Sequence, residues 1–273
     1  VLVLNLLVKP FYILGIDAEV QARAGTAAYG IYAALLSLSF LLNIVLDLGI
    51  TNWNTRHIAR HRHLLRKHMS GILAVRFLLV LVYAFVTLGT GYALGYGTAE
   101  LGLLAVLVLN QALASLLLYL RSNIAGAQRF AQDSLLSVLD RALLIGMVGW
   151  LLWGRGADAG FDIRWFAWAQ TAAYGMALLV AVAFTLRLGA GTAVKWNTPF
   201  SVMVLRKSFP FALLILLMTF YYRTDMVMIE RLLPDGARQA GIYAQGFRFF
   251  EAFNMIGYLV AGLLLPMFSR MIQ

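Results

Sequence analysis

The sequence predicts an all-α, polytopic membrane helix bundle, and three observations carry that prediction. Of its 273 residues, 62% are hydrophobic and only 12% are charged, where a soluble domain is nearer half apolar and a quarter charged. Mean hydropathy is +0.80. The apolar residues come in runs of roughly 20, enough to cross about 30 Å of hydrocarbon. The runs are continuous rather than alternating, so they do not read as the strands of a closed barrel. Helices satisfy every backbone group internally and fit the runs. A soluble enzyme, a nucleic-acid-binding domain and a disordered tail are thereby excluded. The chain holds no cysteine, which excludes a disulfide framework, a cysteine-ligated metal centre and a thiol nucleophile.

Eight segments follow in order. The first, 1–16, is interrupted by Lys9 and by Pro10, which lacks a backbone donor. The second, 29–51, opens on Gly30-Ile31-Tyr32-Ala33, and the third, 69–94, holds Arg76. The fourth, fifth and sixth, 101–120, 134–153 and 165–186, are apolar runs between short loops. The seventh, 208–229, follows the longest polar interruption, and the eighth, 240–268, opens on Gly241-Ile242-Tyr243-Ala244. Glycines and aromatic residues inside the runs suit close helix packing and interfacial anchoring.

The net charge of +10 sets orientation rather than signalling nucleic acid. With the first segment running outward, the inner side collects Arg56, Arg60, Arg62, Arg66, Lys67, Arg121, Arg129, Arg141, Arg187, Lys195, Arg206, Lys207 and Arg270. The outer side collects Arg23, Arg155, Arg164, Arg231 and Arg238. Thirteen against five is a positive-inside vote. The stretch holding His57, His61, His63 and His68 carries Lys and Arg but no acid, so it reads as a basic cytoplasmic loop touching anionic lipid rather than as a metal site. No cleavable signal peptide is evident.

Two stretches repeat. The tetrapeptide at Gly30 recurs at Gly241, and Asp17 and Arg23, like Asp225 and Arg231, place an acid six residues before an arginine at the outer end of a span. The implied unit is six helices. Residues 1–188 read as a first lobe, 189–206 as a cytoplasmic linker with room for a short surface helix, and 207–273 as the start of a second lobe. The expectation is a longer parent protein, because the second copy has two helices and the sequence opens on Val1 rather than Met.

These same residues carry a resemblance. Arg23 to Tyr32, followed by the span ending Leu46-Asp47-Leu48-Gly49-Ile50, is similar to the opening of the bacterial polysaccharide flippases of the multidrug/oligosaccharidyl-lipid/polysaccharide superfamily. Asp225 through Gly241-Ile242-Tyr243 to Leu265-Pro266-Met267-Phe268-Ser269-Arg270 resembles the start of that family's second lobe, and Asn5 to Tyr12 resembles the first helix of some members. The resemblance implies two six-helix lobes about a central cavity. It also implies alternating access that carries a lipid diphosphate-linked oligosaccharide from the inner to the outer leaflet. The further expectation is a monomer in the bacterial cytoplasmic membrane, with no cofactor.

Charges at bilayer depth cost about 2.5–3.5 kcal/mol at a helix centre, so they are functional candidates. Lys9, Arg76, Arg223 and Arg248 are the candidate cations for a diphosphate headgroup, which arginine can engage bidentately. Asp47, Asp225 and Glu251 are the candidate ion-coupling acids. Bland readings stand beside these: Asp47 and Arg76 lie at similar depth and could be a packing ion pair, while Arg223 and Asp225 could snorkel outward. No phosphate-binding GxxxxGKS loop occurs, and Asp158 and Asp162 sit in a loop too short for glycosyl-transfer chemistry. A cation-coupled multidrug antiporter is the nearest alternative, and a membrane polysaccharide polymerase or ligase a more distant one.

Overall fold

The computed structural model describes residues 8, 10–60, 65–154, 160–187 and 198–271. A π-helical turn, Tyr12–Ile16, runs into α1 (Asp17–Ala24), and Gly25, at φ 87°, turns the chain into α2 (Thr26–Leu41). Next come the single turn α3 (Ile44–Asp47), then α4 (Ile50–Arg60), α5 (Leu65–Ala93), α6 (Thr98–Gly126) and α7 (Phe130–Gly149), which ends in a π-helical turn at Trp150–Gly154. α8 (Ile163–Arg187), α9 (Thr198–Leu232) and α10 (Gly236–Met271) complete the bundle. Among the described residues, six stretches are long and apolar enough to cross a membrane: Thr26–Asp47, Gly71–Ala93, Thr98–Gly126, Phe130–Gly154, Ile163–Arg187 and Ala212–Leu232. Residues 1–7 and 9 of the first predicted segment fall outside the described residues, and α10 carries the eighth.

Two boundaries differ from the sequence reading. The second segment is not one helix. Its chain breaks at Leu48 and Gly49, both in the left-handed region at φ 44° and 76°, a conformation that strains leucine. The break is held by Asp47, whose carboxylate accepts the Thr51 backbone N–H at 3.1 Å and so caps α4. The predicted linker also ends early. α9 reaches back to Thr198, so residues 198–206 are helical and continuous with the seventh segment, with Pro210 inside the helix. Residues 188–197 lie outside the described residues.

Apolar packing forms two clusters, one toward each end of the bundle. One holds Leu103 to Val108 of α6, Leu144 and Val148 of α7, and Phe166 to Ala173 of α8. The other holds Leu117 to Ile124 of α6, Leu136 of α7, and Ala177 and Ala181 of α8. Between them the same helices place Asn110, Gln111, Arg141 and Tyr174. The bundle therefore has a polar middle layer between two apolar ends.

α2 packs most extensively on α10, and α6 on α8. The first of these crossings explains the repeated tetrapeptide. A Cβ on Gly30 would strike the Ala237 carbonyl oxygen and the Gly241 nitrogen, and one on Gly241 would strike the Thr26 carbonyl oxygen. The two Gly-Ile-Tyr-Ala motifs face one another, and their glycines let the backbones meet. At the same end, Tyr96 donates its phenol O–H to Glu230 Oε2 at 2.8 Å. Burial, and then that carboxylate, push the Tyr96 phenol above its ordinary pKa range.

Candidate functional site

A cavity of about 320 Å³ opens in the polar layer, with walls drawn from α1, α2 and α6 to α10. Three arginines and two carboxylates line it: Arg141, Arg223, Arg248, Asp17 and Glu251.

The α2–α10 crossing brings Arg248 to α1. Its Nε donates to Asp17 Oδ2 at 3.0 Å, and its Nη2 donates to Gln21 Oε1 at 2.7 Å. Tyr29 donates its O–H to the same Asp17 oxygen at 2.6 Å. Gln21 in turn donates to the Gly241 carbonyl at 2.7 Å, which ties this network to the glycine seam. Arg248 is buried, and its Nε and Nη2 are both directed at α1.

Arg223 on α9 donates from Nη2 to Glu251 Oε1 of α10 at 2.6 Å. Its guanidinium lies 4.7 Å from the Phe40 ring centre and 5.3 Å from that of Phe247, close enough for cation–π attraction. Arg141 on α7 is held differently. Tyr12 and Tyr174 place their ring centres 4.8 and 5.9 Å from its guanidinium, and its nearest carboxylate contact, Asp140, is at 3.8 Å. The rest of the wall mixes neutral polar groups with apolar ones such as Leu36 and Met226. Gln170 donates to the Tyr32 hydroxyl at 2.7 Å, Thr171 to Asn110 Oδ1 at 2.6 Å, and Asn43 to Gln111 Oε1 at 2.9 Å.

Residues 21–272 match a family described as polysaccharide biosynthesis protein. The chain belongs to that family. Among solved structures, it is similar to a crystal structure of MATE in the bent conformation, at 12% identity and a TM-score of 0.50, over 97% of this chain and 69% of that one. This second likeness is one of fold. No curated protein sequence matches.

For this member of the polysaccharide biosynthesis family, the cavity gathers some of the sequence-predicted residues and leaves others apart. Arg223, Arg248 and Glu251 line it together. Arg76 and Asp47 do not. They pair with each other on α5 and α3, where Arg76 also donates to Thr51 Oγ1 at 2.6 Å and to Ser115 Oγ at 2.8 Å, 4.8 Å from the Tyr119 ring centre. Asp225 accepts from the Tyr243 hydroxyl at 3.2 Å in a separate aromatic cleft with Tyr222 and Phe250. Lys9, Asp158 and the four histidine side chains lie outside the described residues. Two charged lining residues are not among the site residues the sequence points to. Asp17 stood only as part of the repeat. Arg141 was counted as an inner-loop cation, and the structure corrects this: it lies within the stretch Phe130–Gly154 and lines the cavity.

Proposed function

We propose that this chain moves a lipid diphosphate-linked oligosaccharide from the inner to the outer leaflet of the bacterial cytoplasmic membrane, by alternating access, for cell-surface polysaccharide assembly. The observation that supports this reading is the cavity lined by three arginines and two carboxylates in the middle of the bundle. A diphosphate must shed water to cross the hydrocarbon layer, and fixed guanidinium groups in a polar cavity offset that desolvation with charge-assisted hydrogen bonds. Glu251 and Asp17 each occupy one arginine. Uptake of a proton or sodium ion by either carboxylate would release its arginine for substrate, which couples an ion to the headgroup. A cationic drug is the wrong charge for a wall whose excess is basic.

The test uses cells carrying the variant in the native gene. Arg223→Glu should abolish surface polysaccharide while membrane abundance stays near normal, and Arg223→Lys should keep part of the export. Wild-type export by Arg223→Glu would place the headgroup site elsewhere. Loss of ethidium resistance with export intact would make the chain a drug antiporter.

A further inference from the structure

We propose that Arg141 is the first anion site of the cavity: a phosphate-binding cation held ready by tyrosine rings, which engages a diphosphate before either paired arginine is released. This rests on the reading of the cavity as a headgroup site, and it assigns an order within that site.

The charge arrangement carries the argument. Arg248 and Arg223 are each hydrogen-bonded to a carboxylate, at 3.0 and 2.6 Å, so an anion reaches them only by displacing or neutralising Asp17 or Glu251. Arg141 is held more loosely, since its acidic neighbour Asp140 forms an ion pair with it but no hydrogen bond. Among the described residues its guanidinium donates no hydrogen bond, and Asp140, at 3.8 Å, stands beyond hydrogen-bond distance. Of the three lining arginines, Arg141 is therefore the one whose N–H donors are not already engaged by a carboxylate.

Its surroundings suit a waiting cation. Arg141 lies between Leu136 of one apolar cluster and Leu144 of the other, where a bare guanidinium would be expensive. Tyr12 and Tyr174 lie against it, and ring faces attract a cation without using its N–H donors. The guanidinium edge stays open for a phosphate, which it can bind with two parallel hydrogen bonds. A doubly charged diphosphate exceeds what one guanidinium can neutralise. A phosphate seated on Arg141 then competes with Glu251 for Arg223, and the second cation joins by exchange.

The experiment treats the product of the intact gene, in detergent, with phenylglyoxal, which modifies accessible arginines, and reads each arginine by mass spectrometry. Arg141 should be modified faster than Arg223 and Arg248. Farnesyl diphosphate and inorganic pyrophosphate should both protect it, and farnesol should not. In calorimetric titration with farnesyl diphosphate, Arg141→Gln should weaken binding by about tenfold or more and Arg141→Lys by less, as loss of a bidentate contact requires. If Arg141 is the slowest to react, or farnesol protects it as well as the diphosphate does, the proposal is overturned. If the wild type binds and Arg141→Gln binds equally, Arg141 is a packing cation and the functional reading survives. If the wild type binds neither phosphate compound, the functional reading falls, and this proposal with it. Should Arg141→Gln not fold, the protection experiment on the wild type decides.

Discussion

Arg76 shows what a charge inside the bundle requires when it is not part of the cavity. It is 1% exposed, and its compensation comes from Asp47, Thr51, Ser115 and the Tyr119 ring rather than from water. Removing one partner of such a pair leaves an uncompensated buried charge, at about 3–5 kcal/mol, whereas replacing both by apolar groups is close to neutral. Asp47→Asn should therefore lower the thermal unfolding midpoint sharply, and Asp47→Leu with Arg76→Leu should recover most of it. Equal losses in the single and double variants would mean that the pair is incidental. Spacing along the chain showed that Asp47 and Arg76 lie at similar depth, which left packing and function both open. It could not show that Asp17 meets Arg248 across 231 positions, because that contact depends on how α1, α2 and α10 cross. Arg141 was missed for another reason. Counting loop charges says nothing of a cation whose main neighbours are tyrosine rings.

Helices were legible as elements because their apolar runs are long, but their breaks and close approaches were less so. The interruption at Leu48 and Gly49 is written in a capping contact from Asp47 to Thr51 rather than in hydropathy. The repeated tetrapeptide was visible in sequence, while its physical reason appears only where α2 and α10 cross. There, a methyl group on Gly30 would meet backbone atoms of Ala237 and Gly241, which cannot turn aside as a flexible side chain would. Gly246, on the same helix as Gly241, has nothing within 4 Å of an added Cβ, and alanine is a better helix former than glycine by about 1 kcal/mol. Gly30→Ala and Gly241→Ala should each lower the unfolding midpoint and reduce polysaccharide export. Gly246→Ala should leave the midpoint unchanged or raise it. A Gly30→Ala protein as stable as wild type would show that the seam opens freely and is not a fixed packing contact.

The molecule's two ends differ more in charge than the loop count suggests. With Arg141 moved into the cavity the vote is still twelve against five, and ion pairing widens the contrast. At the end bearing Tyr96, three cations have acidic partners: Arg23 with Glu19 at 2.8 Å, Arg231 with Glu230 at 3.1 Å, and Arg238 with Asp235 at 3.9 Å. At the opposite end, Arg121 pairs with Asp133 at 2.8 Å, while Arg206 and Lys207 stand exposed on the first turns of α9. Among the described residues, Arg206 and Lys207 have no acidic partner, and the positive-inside rule would put the end bearing Lys207 on the cytoplasmic side. Substrate would then enter the cavity from the side of Lys207 and leave past the Gly30–Gly241 seam. A chain without cysteine makes this directly testable, since a single introduced thiol is the only one present. Thr98→Cys, exposed beside Tyr96, should react with an impermeant maleimide in intact cells. Lys207→Cys should react only after the membrane is permeabilised. Labelling of residue 207 from outside would invert the orientation, and would make the glycine seam the cytoplasmic gate.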